Sequence, residues 1–167
     1  MLFLCCPLFA QDFPAVEVSG GYSLLRDDDL TKHGSGWVGS VDVNFDRWTG
    51  IMVELGGNYS TSTILGKNVD AHIYSYMAGP QFSIRNRSRA VPFVQILIGG
   101  TTRNITHIGG TDNTDLAMQL GGGVDWWLRP KVGLRFGSHY RHTFANALPS
   151  DGFRLQAGMV FGLGRRQ

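Results

Sequence analysis

The sequence predicts an all-β protein, an eight-stranded antiparallel up-and-down transmembrane β-barrel. Three observations predict it. Of eight strand-like segments, seven alternate apolar and polar residues with a period of two and one is nearly continuous apolar, the connections between them alternate long and short, and aromatic residues gather at both strand ends. The chain of 167 residues makes one domain, long enough to close a barrel or bury a core, and we place that domain at residues 15–164 with a short tail at 165–167. No apolar run approaches the roughly 18 residues of a membrane helix, so a bilayer would have to be crossed by strands. Glycine is abundant at 23 residues while proline, at 6, is not, so the excess does not signal disorder. These glycines fall inside strands, where they mark bends and close approach of neighbouring backbones, as a small curved barrel needs.

Taken in order, the first strand sets Val16, Val18, Gly20, Tyr22 and Leu24 against Glu17, Ser19, Gly21 and Ser23, and a polar connection, 26–36, follows it. The second sets Trp37, Gly39, Val41, Val43 and Phe45 against Val38, Ser40, Asp42, Asn44 and Asp46. After the short break Arg47-Trp48-Thr49-Gly50 the third sets Ile51, Val53, Leu55, Gly57 and Tyr59 against Met52, Glu54, Gly56, Asn58 and Ser60. Each apolar face of this hairpin is about as long as the 9–11 residues with which a tilted strand crosses hydrocarbon. A soluble sandwich would hide that face in its core, whereas a membrane barrel turns it to lipid and turns the carboxylates and amides inward.

The fourth strand has Tyr74, Tyr76, Ala78, Pro80, Phe82 and Ile84 opposite Ser75, Met77, Gly79, Gln81 and Ser83, and ends at the basic turn 85–89. The fifth, 91–102, is nearly continuous apolar through Phe93-Val94-Gln95-Ile96-Leu97-Ile98, so periodicity does not assign its faces. In the sixth, Leu116, Met118, Leu120, Gly122, Val124 and Trp126 oppose Ala117, Gln119, Gly121, Gly123 and Asp125. The turn Arg129-Pro130-Lys131 leads to the seventh, with Val132, Leu134, Phe136 and Tyr140 opposite Gly133, Arg135, Gly137, His139 and Arg141. The eighth sets Phe153, Leu155, Ala157, Met159, Phe161 and Leu163 against Arg154, Gln156, Gly158 and Gly162.

Connections 26–36, 61–71, 103–114 and 142–152 read as long polar loops, and 46–50, 84–90 and 129–131 as short turns, the asymmetry of barrels with external loops and periplasmic turns. Aromatics sort accordingly into two expected belts, Tyr22, Trp37, Tyr59, Tyr74 and Tyr140 at the long-loop ends and Phe45, Trp48, Phe82, Trp126, Trp127 and Phe161 at the short-turn ends. Residues 1–10 are apolar and end in Leu8-Phe9-Ala10, which resembles a truncated secretory signal peptide without its basic n-region. Both cysteines, Cys5 and Cys6, lie in it, and Leu4 is too bulky for a good lipoprotein cleavage site. A net charge of +2, with no basic stripe, argues against nucleic-acid binding.

The closing segment Phe153 to Gly164, preceded by His139-Tyr140-Arg141-His142-Thr143-Phe144, resembles the ending of small bacterial outer-membrane β-barrel proteins of the OmpA/OmpX-like superfamily. Pro92-Phe93-Val94-Gln95 and Leu120-Gly121-Gly122-Gly123-Val124-Asp125 fit the middle of the same family. The resemblance covers about 16–164 and implies a location in the bacterial outer membrane, contact with its lipid, and a structural or surface-interaction role through the long loops. Its motifs belong to a barrel and not to an activity. The chain departs from the family in continuing past Phe161, where many such barrels end on an aromatic residue.

With this register Glu17, Asp42, Glu54, Asp125, Arg135, His139, Arg141 and Arg154 point into a lumen just wide enough for side chains to fill. We expect an interior polar network that plugs the barrel in place of a catalytic cluster. A slip of one residue would turn Asp42 and Glu54 to lipid. Three other readings remain open: porin-like passage of small solutes, a soluble lipocalin-like carrier, and a lipid A-modifying barrel of the deacylase type. The last resembles His142-Thr143-Phe144-Ala145-Asn146-Ala147 only superficially, since that family's order needs Ser where Phe144 stands. Gly34-Ser35-Gly36-Trp37-Val38-Gly39 matches a dinucleotide fingerprint but opens a strand where the fingerprint opens a helix. The five histidines show no metal-ligand spacing, and Asp27-Asp28-Asp29 reads as a solvated loop tip. The expectation is a monomeric, non-enzymatic barrel without cofactor or metal, its surface contacts made by 26–36, 61–71, 103–114 and 142–152, with Asp27–Asp29, Ile105–His107 and Phe144–Leu148 the residues to test.

Overall fold

A computed structural model describes residues 13–27, 34–64, 67–86, 88–106, 113–144 and 150–164. The expected signal segment 1–10, the tail 165–167, and the tip residues Asp28, Asp29, His107 and 145–148 lie outside them. Eight strands follow in chain order: β1 Val16–Asp27, β2 Gly34–Asn44, β3 Thr49–Ile64, β4 Lys67–Ser83, β5 Ala90–Thr106, β6 Asn113–Arg129, β7 Val132–Phe144 and β8 Ser150–Leu163. Each pairs antiparallel with its neighbours and β1 closes on β8, leaving no sheet edge. Representative pairs are Tyr22 with Trp37, Val53 with Ala78, Gln119 with Arg141, and, across the closure, Val18 with Phe161.

Alternation sorts the residues as expected in the seven strands whose faces periodicity assigns. Leu24, Val41, Val53, Val94, Leu120, Phe136 and Leu155 stand exposed on the outer wall, while Glu17, Asp42, Glu54, Gln119, Arg135 and Arg154 are buried inside. In β5 the structure decides what periodicity did not. Pro92, Val94, Ile96 and Ile98 face outward and Val91, Phe93, Gln95 and Leu97 inward, because pairing with β4 and β6 sets the parity that a two-sided apolar run lacks.

The expected long loops are corrected. Strands β3 and β4 remain paired through Thr61 with Asp70 to Ile64 with Lys67, β5 runs to Thr106, and β2 starts at Gly34. Much of 26–36, 61–71 and 103–114 is therefore strand, and in 142–152 the ends of β7 and β8 pair up to Thr143 with Ser150. The reason is that polar residues occupy both parities in these stretches. The apolar alternation stops there, while backbone pairing in Ser- and Thr-rich sequence continues. Strands of 16 and 17 residues exceed the 9–11 that hydrocarbon demands, so the excess projects beyond the membrane. Asp46 is also corrected: it sits in the turn, not on the inner face, and accepts hydrogen bonds from Trp48 N (2.6 Å), Thr49 N (2.8 Å) and Thr49 Oγ1 (2.7 Å).

Two glycines show why the wall can curve tightly. A Cβ on Gly21 would collide with Gly158 Cα and the Ala157 carbonyl across the β1–β8 closure, and one on Gly123 would stand 2.9 Å from the Phe93 ring inside the barrel.

Candidate functional site

The interior is built from side chains that alternation sends inward from every strand. Toward the short-turn end Arg135 of β7 gathers three carboxylates. Its Nε and Nη2 donate to Asp125 Oδ1 and Oδ2 at 2.7 and 2.8 Å, Nη1 donates to Asp42 Oδ2 at 2.8 Å, and Nη2 reaches Glu17 Oε2 at 3.2 Å. The fork-to-fork pair with Asp125 fixes the guanidinium plane, and the Phe93 ring lies 4.8 Å beneath it. Arg85 donates to Glu17 Oε1 at 2.7 Å and Asn44 Oδ1 at 3.0 Å. Toward the other end Arg154 donates to Glu54 Oε1 at 2.6 Å, Gln119 Nε2 donates to the same oxygen, and Arg141 donates to Gln119 Oε1 and Ser75 Oγ. His139 lies among Arg154, Glu54 and Arg141. An apolar cluster, Met52, Met77, Leu97 and Ala117, fills the β3–β6 side.

All eight residues singled out in the sequence are therefore buried in the lumen, in two groups. Sequence reasoning missed Arg85, which it left in a basic turn. Its parity continues that of Gln81 and Ser83, and this was the available signal. Counting it, four carboxylates (Glu17, Asp42, Glu54, Asp125) share the lumen with four guanidiniums (Arg85, Arg135, Arg141, Arg154). Burying a charge without a partner is costly, so near-neutral pairing is what a lumen filled by side chains requires. No group of three metal-ligating side chains occurs among the described residues.

On the outer wall Tyr22, Trp37, Tyr59, Tyr74 and Tyr140 stand exposed toward the long-connection end, with Tyr59 and Tyr74 edge to face at 6.3 Å. Phe45, Trp48, Phe82, Trp126 and Phe161 stand exposed toward the short-turn end. Trp127 departs from the expected belt: neighbours along a strand face opposite sides, so with Trp126 outward it turns to the mouth and packs near Gly162. Near the long-connection end His142 Nδ1 lies 2.6 Å from Asp151 Oδ1, and the Phe144 ring packs edge to face on the imidazole at 4.6 Å. A carboxylate-held imidazole is half of an acyl-transfer arrangement, but the position where the deacylase order needs a serine offers only this phenyl ring.

A cavity of about 580 Å³ opens at the short-turn mouth. Arg47, Arg85, Arg89 and Arg129 line it over an apolar floor that includes Phe13 and Trp127. The chain reaches this floor through Phe13–Ala15, tied down where Asn44 donates from its backbone N to the Ala15 carbonyl and from Nδ2 to the Pro14 carbonyl.

An outer wall of exposed Trp, Phe, Leu, Ile and Val around a polar interior inverts a soluble protein and suits a lipid surround. The sequence model of the outer membrane protein beta-barrel domain matches residues 1–163. The chain belongs to that family. It is a bacterial outer-membrane barrel; barrels of that kind carry their short turns on the periplasmic side and their longer connections outside. No curated protein sequence matches it significantly. Solved structures similar to it include neisserial surface protein A, at 15% identity and a TM-score of 0.70 over 89% of this chain and 96% of that one. Ail, the attachment invasion locus protein of Yersinia pestis, solved with the heparin analogue sucrose octasulfate, shares 16% identity at a TM-score of 0.57 over 90% of this chain and 99% of its own. OprG from Pseudomonas aeruginosa shares 12% identity at a TM-score of 0.56 over 91% and 95%. At these identities the likeness is one of fold. The exposed apolar outer wall around a polar interior leaves no room for the soluble-carrier reading, which needs its greasy face inside.

Proposed function

We propose that this protein is a non-conducting outer-membrane barrel, monomeric in lipid, that supports the membrane and makes contacts at the cell surface through its projecting strand ends. The observation that carries the reading is the filled lumen: Arg135 and Arg154, at 2% and 0% exposure, span the interior to acids on other strands. A solute path would require those ion pairs to part in a low-dielectric interior. The interior polar residues then act as a structural plug, the aromatic belts as interfacial anchors, and no cofactor is required.

The external segments 26–36, 61–71, 103–114 and 142–152 carry six carboxylates (Asp27, Asp28, Asp29, Asp70, Asp112, Asp151) and four cations (Arg26, Lys32, Lys67, Arg103). A sulfated polyanion of the kind bound by Ail is therefore disfavoured here, and a protein or neutral surface is the better partner. Ile105 and Phe144 supply apolar groups beside these polar tips. In planar bilayers the protein should give no stable conductance, and vesicles containing it should not swell in small sugars. A steady single-channel current would replace this reading with the porin one. Exchanging 26–36 and 142–152 for short turns should abolish attachment of expressing cells to their target surface, and unchanged attachment would remove the surface role.

A further inference from the structure

We propose that the periplasmic mouth is a binding site for an organic anion, a phosphate or carboxylate group carried on an apolar body. The three periplasmic turns, 45–48, 84–90 and 129–131, hold six cations (Arg47, Arg85, Arg87, Arg89, Arg129, Lys131) against one carboxylate, Asp46. The external end has the opposite balance. Four of these guanidiniums line the cavity of about 580 Å³, and among the described residues no carboxylate lines it. Asp46 is not part of the cavity lining, and both its oxygens accept hydrogen bonds within its own turn instead of pairing with a guanidinium. Arg85 is satisfied by Glu17 and Asn44, and Arg47 lies over Trp48 at 5.2 Å. Arg89 and Arg129 are left on the rim, exposed, with fork-shaped donors that match phosphate or carboxylate oxygens in pairs.

Like charges gathered around a concave surface repel one another, and an anion between them removes that cost. Phe13, Pro14, Val91 and Trp127 form a floor without charge, so the cavity suits an anion with a flat apolar body over a bare ion. Its volume lies in the range of about 300–1,000 Å³ typical of small-molecule sites. Two sources share this chemistry: the headgroup of an anionic phospholipid in the inner leaflet, and a soluble periplasmic anion.

The test uses the full chain in phosphatidylcholine nanodiscs, following the Trp127 indole N–H resonance, assigned with Trp127→Phe, as phenyl phosphate is added. A saturable shift is expected, at least tenfold weaker in the Arg89→Gln/Arg129→Gln variant and absent with benzyl alcohol. Both exchanged arginines lie on exposed turns away from the interior ion pairs, so the variant barrel should remain closed and heat-modifiable. If exchange of the lipid for phosphatidylglycerol moves the resonance without added phenyl phosphate, the anion comes from the membrane. If it does not, the anion is soluble. The proposal is overturned by the lack of a saturable shift in either lipid, by an equal response to benzyl alcohol, or by undiminished binding in a correctly closed double variant.

Discussion

Arg135 shows how one side chain holds several strands at once. It sits on β7 and bonds acids on β1, β2 and β6, so its removal leaves buried Asp42 and Asp125 without their cation and Glu17 with Arg85 alone. Breaking a buried pair from one side costs about 3–5 kcal/mol. Arg135→Leu should lower the stability measured by urea unfolding in detergent by that amount, and Arg135→Lys should fall between, since an ammonium keeps the charge but loses the fork. An unchanged midpoint would mean that the lumen is wetter than its packing indicates. In the periplasmic turn, hydrogen bonds from the Thr49 hydroxyl and from the Trp48 and Thr49 amides hold the Asp46 carboxyl below its ordinary value of 3.8. With the folded value below the unfolded one, the contribution is fully present above about pH 4 and disappears as pH falls through the folded value. Asp46→Asn should therefore flatten the acid limb of stability below about pH 5, read as unfolding midpoints across the acid range.

At the scale of elements, strand length separates what lipid requires from what the cell surface receives. β3 and β4 run 16 and 17 residues and stay paired to Ile64 and Lys67, beyond the Tyr59 and Tyr74 belt. An epitope inserted after Ile64 should be accessible to antibody on intact cells, while one inserted after Pro130 should be detected only after permeabilisation. The reverse result would invert the barrel in the membrane and put its basic mouth outside. The strand faces were legible in sequence wherever one side is apolar and the other polar. Parity failed in β5, where both sides are greasy, and in the external ribbon, where the sequence is polar at both parities. In neither stretch do the residues themselves distinguish inside from outside.

For the whole molecule, closure of β1 on β8 removes every free edge, which is the condition for a sheet in hydrocarbon. The purified protein should resist SDS and change electrophoretic mobility only after boiling. A mobility independent of heating would contradict a closed barrel. The molecule is also electrically polar along its axis, with acids in excess outside, a balanced lumen, and cations in excess at the periplasmic turns. The alternation of seven segments, their facing, the outward side of the aromatics apart from Trp127, and the inward side of the eight polar residues were determined by the sequence alone. A strand's period is two, and lipid and lumen impose opposite demands on its two faces. Which acid each arginine meets, the inward turn of Arg85 and Trp127, the facing of β5, and the gathering of Arg47, Arg89 and Arg129 around one cavity were decided only by tertiary structure. These depend on the register of strands far apart in the chain and on the closure of the barrel, and local periodicity carries no record of either.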